Sequence, residues 1–279
     1  MPSDEVFSER SVLNNLWPRL EMSPARASQM TPQGCSGDKN VIYDNQNNAV
    51  MSKPKKSKSD YLAKFIPEAH YHVYNRTNNR ELLFRDDADR RFFIEQYKRF
   101  VAAYVNTYAY CLLPNHFHVA IHIKPAGELI ELAEQTPELQ RTSSQHQILS
   151  QSKEERCFHP LIERQFTRMF TSYAIYFNYR YKRSGNLFYR PFRRVAVDDD
   201  SHLHWLIYYI HHNPRKHKVM EDFLNYTWSS YTALIAQKST MLLRKSVWDM
   251  FGGQANFIAF HEGKEPQKPD GWDLDIEDE

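Results

Sequence analysis

The stretch CLLPNHFHVAIHI, residues 111–123, sets His116 and His118 one residue apart, just after a Pro-Asn pair and among alternating apolar residues. On a strand, residues i and i+2 share a face about 6–7 Å apart, so both imidazoles point one way while Phe117, Val119 and Ile121 point into a core. Two such rings can converge on one metal ion. An apolar core has no need of them, and ring nitrogens left unpaired in a closed interior would cost about 1–3 kcal/mol each. His122 shares the face but stands roughly 13 Å from His118 along the strand, too far for the same ion. It reads as a surface histidine or one behind the ligands.

A two-histidine site needs a third ligand from elsewhere, which turns attention to HLHWLIYYIHHN, residues 202–213. At about 100° per residue, Leu203, Leu206, Ile207 and Ile210 form the apolar face of a helix, and His202, Tyr209 and Asn213 gather on one flank within about 40° of each other. Tyr208 and His212 fall on the opposite side. A phenol and an amide at i, i+4 beside the buried face can be presented together at the edge of a sheet. Taken alone, Tyr209 equally suits half-buried packing and Asn213 a helix end.

The elements that must position these groups follow from periodicity. AHYHVYNRT (69–77) alternates as a strand, and DDADRRFFIEQYKRFVAAY (86–104) has helical spacing, with Asp86 as N-cap and Asp89 at the third helical position. NTYAYCL and HFHVAIHI read as a hairpin turned by Pro114-Asn115. Residues 126–160 are polar and read as partly helical or as a loop. A long helix starts near Leu161 and stops at Ser184-Gly185, and NLFYRPFRRVAV reads as a fourth strand. The order β-α-β-β-α-β predicts an α+β fold: a ferredoxin-like antiparallel sheet with helices on one face, plus a C-terminal helical extension. The late helix begins at the Asp198-Asp199-Asp200-Ser201 cap and is expected to close at Pro214.

At 279 residues, 41% apolar and 14% aromatic, the chain can build a real core. Residues 1–58, polar and without sustained period, read as a disordered arm. Within it, Met51 before Ser-Lys-Pro-Lys-Lys resembles a translation start. Residues 59–262 are expected to form the domain, with a core about 65–218 and the extension 219–262, and 263–279 an acidic disordered tail. Nothing approaches the roughly 18 consecutive apolar residues of a membrane span and the N-terminus has no secretory segment, so a cytoplasmic protein without a membrane partner is expected. Cys35, Cys111 and Cys157 lack the spacing of a disulfide framework or a cysteine-rich zinc site. The net charge of +2 hides asymmetry: eleven Lys/Arg against four Asp/Glu over 161–220, and two against seven over 264–279. A basic middle with interleaved aromatics suits either a nucleic-acid groove or a solvated surface.

Together, YHVYNRTNNRELLFRDDADRRFF, YCLLPNHFHVAIH, SGNLFYRPFRRVAV and YIHHNPRKH, in this order, resemble the REP-associated tyrosine transposases, a branch of the single-tyrosine HUH transposases. The resemblance spans about residues 65–260. It implies that His116 and His118 bind a divalent metal, Mg²⁺ or Mn²⁺, that Asn213 is the third ligand, and that Tyr209 is the catalytic nucleophile. The implied reaction is transesterification on single-stranded, hairpin-containing DNA through a 5′-phosphotyrosine, in DNA transposition or a domesticated role. Lys182, Arg190, Arg193 and Arg194 are the candidates for holding the DNA backbone, and Phe188 and Tyr189 for stacking on bases. A nucleoid-associated monomer or weak homodimer is expected. Two other classes stay open: a non-catalytic protein binding structured DNA or RNA, and a domain stabilised by zinc.

Overall fold

The computed structural model describes residues 61–269 except 198, together with a two-residue antiparallel strand pair, Ile42–Tyr43 with Ala49–Val50. The remainder of the arm and the tail from 270 onward lie outside the described residues.

Strand β1 (His70–Arg76) leads into helix α1 (Asp87–Phe100), whose start is the expected one: Asp86 Oδ1 accepts from the Asp89 N–H at 3.0 Å, and Asp89 Oδ2 accepts from the Arg85 N–H at 2.8 Å. β2 (Val105–Leu112) and β3 (His116–Ile123) form the hairpin. The polar segment after it holds two helices, α2 (Ala126–Gln135) and α3 (Ser143–Ser150), the second opened by a capping box between Thr142 and Gln145. Then come α4 (His159–Arg180), β4 (Arg193–Val197), α5 (Asp200–Lys216), α6 (Tyr231–Ile235), α7 (Arg244–Met250) and α8 (Gln254–Glu262). No described helix is long and apolar enough to cross a membrane.

The fold is α+β, with a four-stranded antiparallel sheet in the order β2-β3-β1-β4. One face packs on α1 and α4 through Phe93, Phe117, Phe166, Phe170 and Tyr173. The other is roofed by α5, with α6 to α8 around it, through Ala109, Ala120, Leu206, Ile210, Leu234 and Phe257. Residues 219–262, expected as a helical extension, pack on the sheet and complete a second core.

Two boundaries differ from expectation. β4 is only Arg193–Val197, because Pro191 cannot donate to a ladder, and Phe188 makes just an isolated bridge to Thr77. α5 runs through Pro214 to Lys216: the proline forgoes its own bond to the Ile210 carbonyl, and beyond it the His217 N–H donates to the Asn213 carbonyl at 2.9 Å.

Candidate active site

Alternation along β1 and β3 puts His70, His72, Tyr74 and Arg76 on the same face as His116 and His118. The register sets Tyr74 opposite His118, Arg76 opposite His116 and His72 opposite Ala120. Diagonally across the strands, His72 Nε2 and His118 Nδ1 are 2.9 Å apart. The His116 and His118 rings lie 5.1 Å apart at 85°. His118 is more enclosed than a solvent-facing strand pair would be, at 1% exposed, because α5 covers this face. Burial above all, then the neighbouring His72, His116, His217 and Lys216, hold its pKa well below the usual imidazole range. The ring is neutral, the form in which a histidine can ligate.

α5 is opened by Asp199, which accepts from the His202 N–H at 2.9 Å and also pairs with the His202 ring, so His202 is spent at the helix start. Further along, the Tyr209 ring stands 5.7 Å from that of His118 and 6.2 Å from that of His72, stacked on Trp205 at 5.0 Å, with Lys216 Nζ 5.1 Å from its centroid. Asn213, one turn on, is fully buried. Tyr208 is turned away: it stacks on His212 at 5.3 Å and meets Phe223 and Phe260 edge-on.

Beside the histidines a cleft of about 200 Å³ is lined by Tyr74, Asn75, Arg76, Arg80, Asn115, His116, His118, Tyr189, Arg193 and His217. Tyr189 has the guanidinium of Arg76 5.4 Å and that of Arg193 6.0 Å from its ring. His118 lines this cleft, whereas Tyr209 lines a second depression with Trp205, Lys216 and Lys268, into which Tyr208 and His212 also reach; what sets Tyr209 apart is its approach to His118.

Four expected DNA contacts fall elsewhere. Phe188 is buried against Phe170 and Tyr173 at 5.0 and 6.0 Å, so no base can stack on it. Arg194 points through the sheet to the α4 side, pairing with Glu163 at 3.0 Å and donating to the Ala63 carbonyl at 2.8 Å. It is a structural cation, and Arg193, one residue earlier, keeps the cleft face as strand alternation requires. Lys182 and Arg190 are exposed in the 181–192 connection and do not line the cleft.

A comparison with solved structures finds similarity to one described as "Structure of the REP associates tyrosine transposase bound to a REP hairpin". The TM-score is 0.42 at 13% identity, over 67% of this chain and 87% of that one. So loose a likeness bears on neither ligand nor mechanism. No protein-family profile and no curated protein matches the chain.

The residues themselves suit a divalent cation. His118 Nε2 and both side-chain amide atoms of Asn213 are buried with no hydrogen-bond partner among the described residues. Unmet polar atoms of this kind are costly in an interior unless something ligates them. The donor set is two imidazole nitrogens and an amide oxygen, which Mn²⁺ accepts readily and Mg²⁺ less so. Among the described residues no three His, Cys, Asp or Glu side chains are grouped as a metal site.

Four residues here went unread in the sequence. His70-Tyr71-His72 is a second His-x-His, on the strand that pairs with the first, and only the register shows which of its rings meets His118. His217 follows Asn213 by four residues and Tyr209 by eight, which is one helix flank, and its ring lies 4.6 Å from that of His116. Arg76 and Arg80 carry no spacing signal, since a strand end and a loop bring them to the cleft.

Proposed function

We propose that the chain is a metal-dependent, single-tyrosine DNA strand transferase of the HUH kind, built on a ferredoxin-like core, that cuts and rejoins single-stranded, hairpin-containing DNA. The observation that carries the reading is the meeting of Tyr209 on α5 with His118 of the His-x-His strand β3, with buried, unmet ligand atoms on both elements, His118 Nε2 and the Asn213 amide. The motif resemblance agrees with it.

In this reading the Tyr209 phenol oxygen attacks a phosphodiester phosphorus. A bond forms to the 5′-phosphate, the bond to the 3′ oxygen breaks, and a 3′-OH leaves with a proton. The Lys216 ammonium over the Tyr209 ring attracts the negative charge that the phenol oxygen develops. Arg76, Arg80 and Arg193 hold the flanking phosphates, and Tyr189, 40% exposed between two of these guanidiniums, offers a base a stacking surface. A divalent metal held by His116, His118 and Asn213 would polarise a non-bridging phosphate oxygen and align it for attack. Because the phosphotyrosine conserves the ester, attack by a 3′-OH reverses the step and joins strands.

The test is incubation with labelled hairpin-bearing single strands and Mn²⁺, followed by a denaturing gel. A covalent protein–DNA band that disappears with chelator is expected. Hairpin retention with no covalent band in Mn²⁺ or Mg²⁺ would favour a non-catalytic binding protein instead.

A further inference from the structure

We infer that His72 is a positioning residue for the metal site: by accepting a hydrogen bond from His118 Nδ1–H, it selects the tautomer that leaves His118 Nε2 as a lone-pair donor. The inference rests on the metal-dependent reading above. His72 Nε2 and His118 Nδ1 are 2.9 Å apart, both rings are buried, and His118 Nε2 has no partner among the described residues.

A neutral imidazole carries one N–H. A cation on His118 Nε2 needs that atom's lone pair, so the single proton of the His118 ring then sits on Nδ1, where His72 Nε2 stands within hydrogen-bond distance to accept it and His72 carries its own proton on Nδ1. Metal-binding histidines commonly hand their second N–H to a neighbour that fixes ring orientation and raises ligand basicity.

His116 has a matching arrangement. Its Nδ1 lies 2.6 Å from Asn115 Oδ1, so the preceding amide accepts that N–H and the same tautomer results. The two rings are thus set by different means, one by an adjacent residue and the other by a neighbouring strand. His72 can lean across because its register partner is Ala120, whose small side chain leaves room on the face.

The experiment uses the full-length protein and two substitutions. His72→Phe keeps ring bulk and removes the acceptor, while His72→Gln supplies an amide oxygen that can take the His118 N–H. Mn²⁺ affinity, read from the electron paramagnetic resonance of free Mn²⁺, should fall about 10–100-fold in His72→Phe, recover in His72→Gln, and vanish in His118→Ala. Thermal melts establish that each variant is folded, and His72→Gln serves where the phenylalanine is not tolerated. Wild-type Mn²⁺ affinity in a folded His72→Phe would overturn the inference. Independently of metal, long-range ¹H–¹⁵N correlations of His118 should report the Nδ1–H tautomer in the wild type, and an Nε2–H tautomer would overturn it. If the wild type binds no Mn²⁺ the metal reading fails, and the tautomer then decides the role of His72 alone.

Discussion

Tyr208 and Tyr209 are chemically identical, and one peptide unit of helix, about 100° of rotation, separates their roles. Tyr209 is turned toward His118 and Lys216, whereas Tyr208 is enclosed by His212, Phe223 and Phe260. Tyr209→Phe deletes the oxygen proposed as the nucleophile and little else, so fold and hairpin binding should persist while the covalent adduct is lost. Tyr208→Phe should still form the adduct. A denaturing gel of both variants with labelled hairpin strand checks this, and the reverse pattern would show that the wrong tyrosine has been assigned. The phase of this helix was readable because its apolar residues recur at helical spacing, which fixes the flank of Tyr209 and Asn213 without any contact being known. The partner of His118 was not readable in that way. A histidine 46 residues earlier becomes a neighbour only through strand register, which a single strand's pattern does not contain.

At the scale of elements, α5 is held from behind by a chain of hydrogen bonds, buried at both of its histidines. The Tyr110 N–H donates to Ser230 Oγ at 2.8 Å, and the Ser230 hydroxyl donates to His211 Nε2 at 2.8 Å. His211 Nδ1–H donates to His261 Nε2 at 2.9 Å, and His261 Nδ1–H to the Phe257 carbonyl at 2.8 Å. The Phe257 carbonyl can only accept, so in the neutral His261 ring the proton sits on Nδ1, and that sets the direction of the chain. Burial lowers the His261 pKa to about 4, and the rings facing it are His211, Tyr208, Tyr231, Phe251, Phe257 and Phe260, none of them anionic. Unfolded, His261 titrates near 6.5, so below that pH the unfolded chain binds the extra proton. Stability is therefore full above about pH 6.5 and falls as pH drops toward 4, by about 3 kcal/mol from this group. Urea unfolding across that range should show the slope, and His261→Gln, which has no proton to gain, should make it shallower, with the buried His118 and His211 supplying the rest. An unchanged slope would remove His261 as its source. Strands make a similar division between neighbours. Arg193→Ala should reduce the salt slope of DNA binding by about 1, as for one lost phosphate contact, with little change in melting. Arg194→Ala should leave that slope alone and cost about 1–3 kcal/mol in urea unfolding, because it abandons Glu163 and the Ala63 carbonyl. Equal effects on DNA binding would place both on one groove. Alternation already separated these two arginines in the sequence, whereas the cluster of basic residues concealed it.

Over the whole molecule, the site lies between a sheet and a roof, and the roof depends on residues that the sequence reads as an extension. The α+β class, the hairpin and the two long helices α1 and α4 were legible from periodicity because they need only local pattern. Which helices cover the second face was not, since α6, α7 and α8 are short and their apolar residues have no long period of their own. Their packing supplies what local propensity lacks. Tyr231, Leu234, Leu242, Val247 and Phe257 are buried in the second core with Ala109, Cys111 and Ala120 of the sheet and Leu206 and Ile210 of α5. Each such side chain is worth about 1.5–3 kcal/mol when buried, so losing five of them removes an amount comparable with the whole stability of an ordinary domain, about 5–15 kcal/mol. Residues 219–262 also supply Ser230 and His261, the outer links of the chain that holds α5. A chain ended after residue 218 keeps His116, His118, Tyr209 and Asn213, and it should nonetheless fail to melt cooperatively, bind a hydrophobic dye, and form no DNA adduct. Calorimetry and dye fluorescence on the purified fragment check this. A cooperative melt near that of the full chain would mean that α5 holds its place on the sheet without a second core behind it.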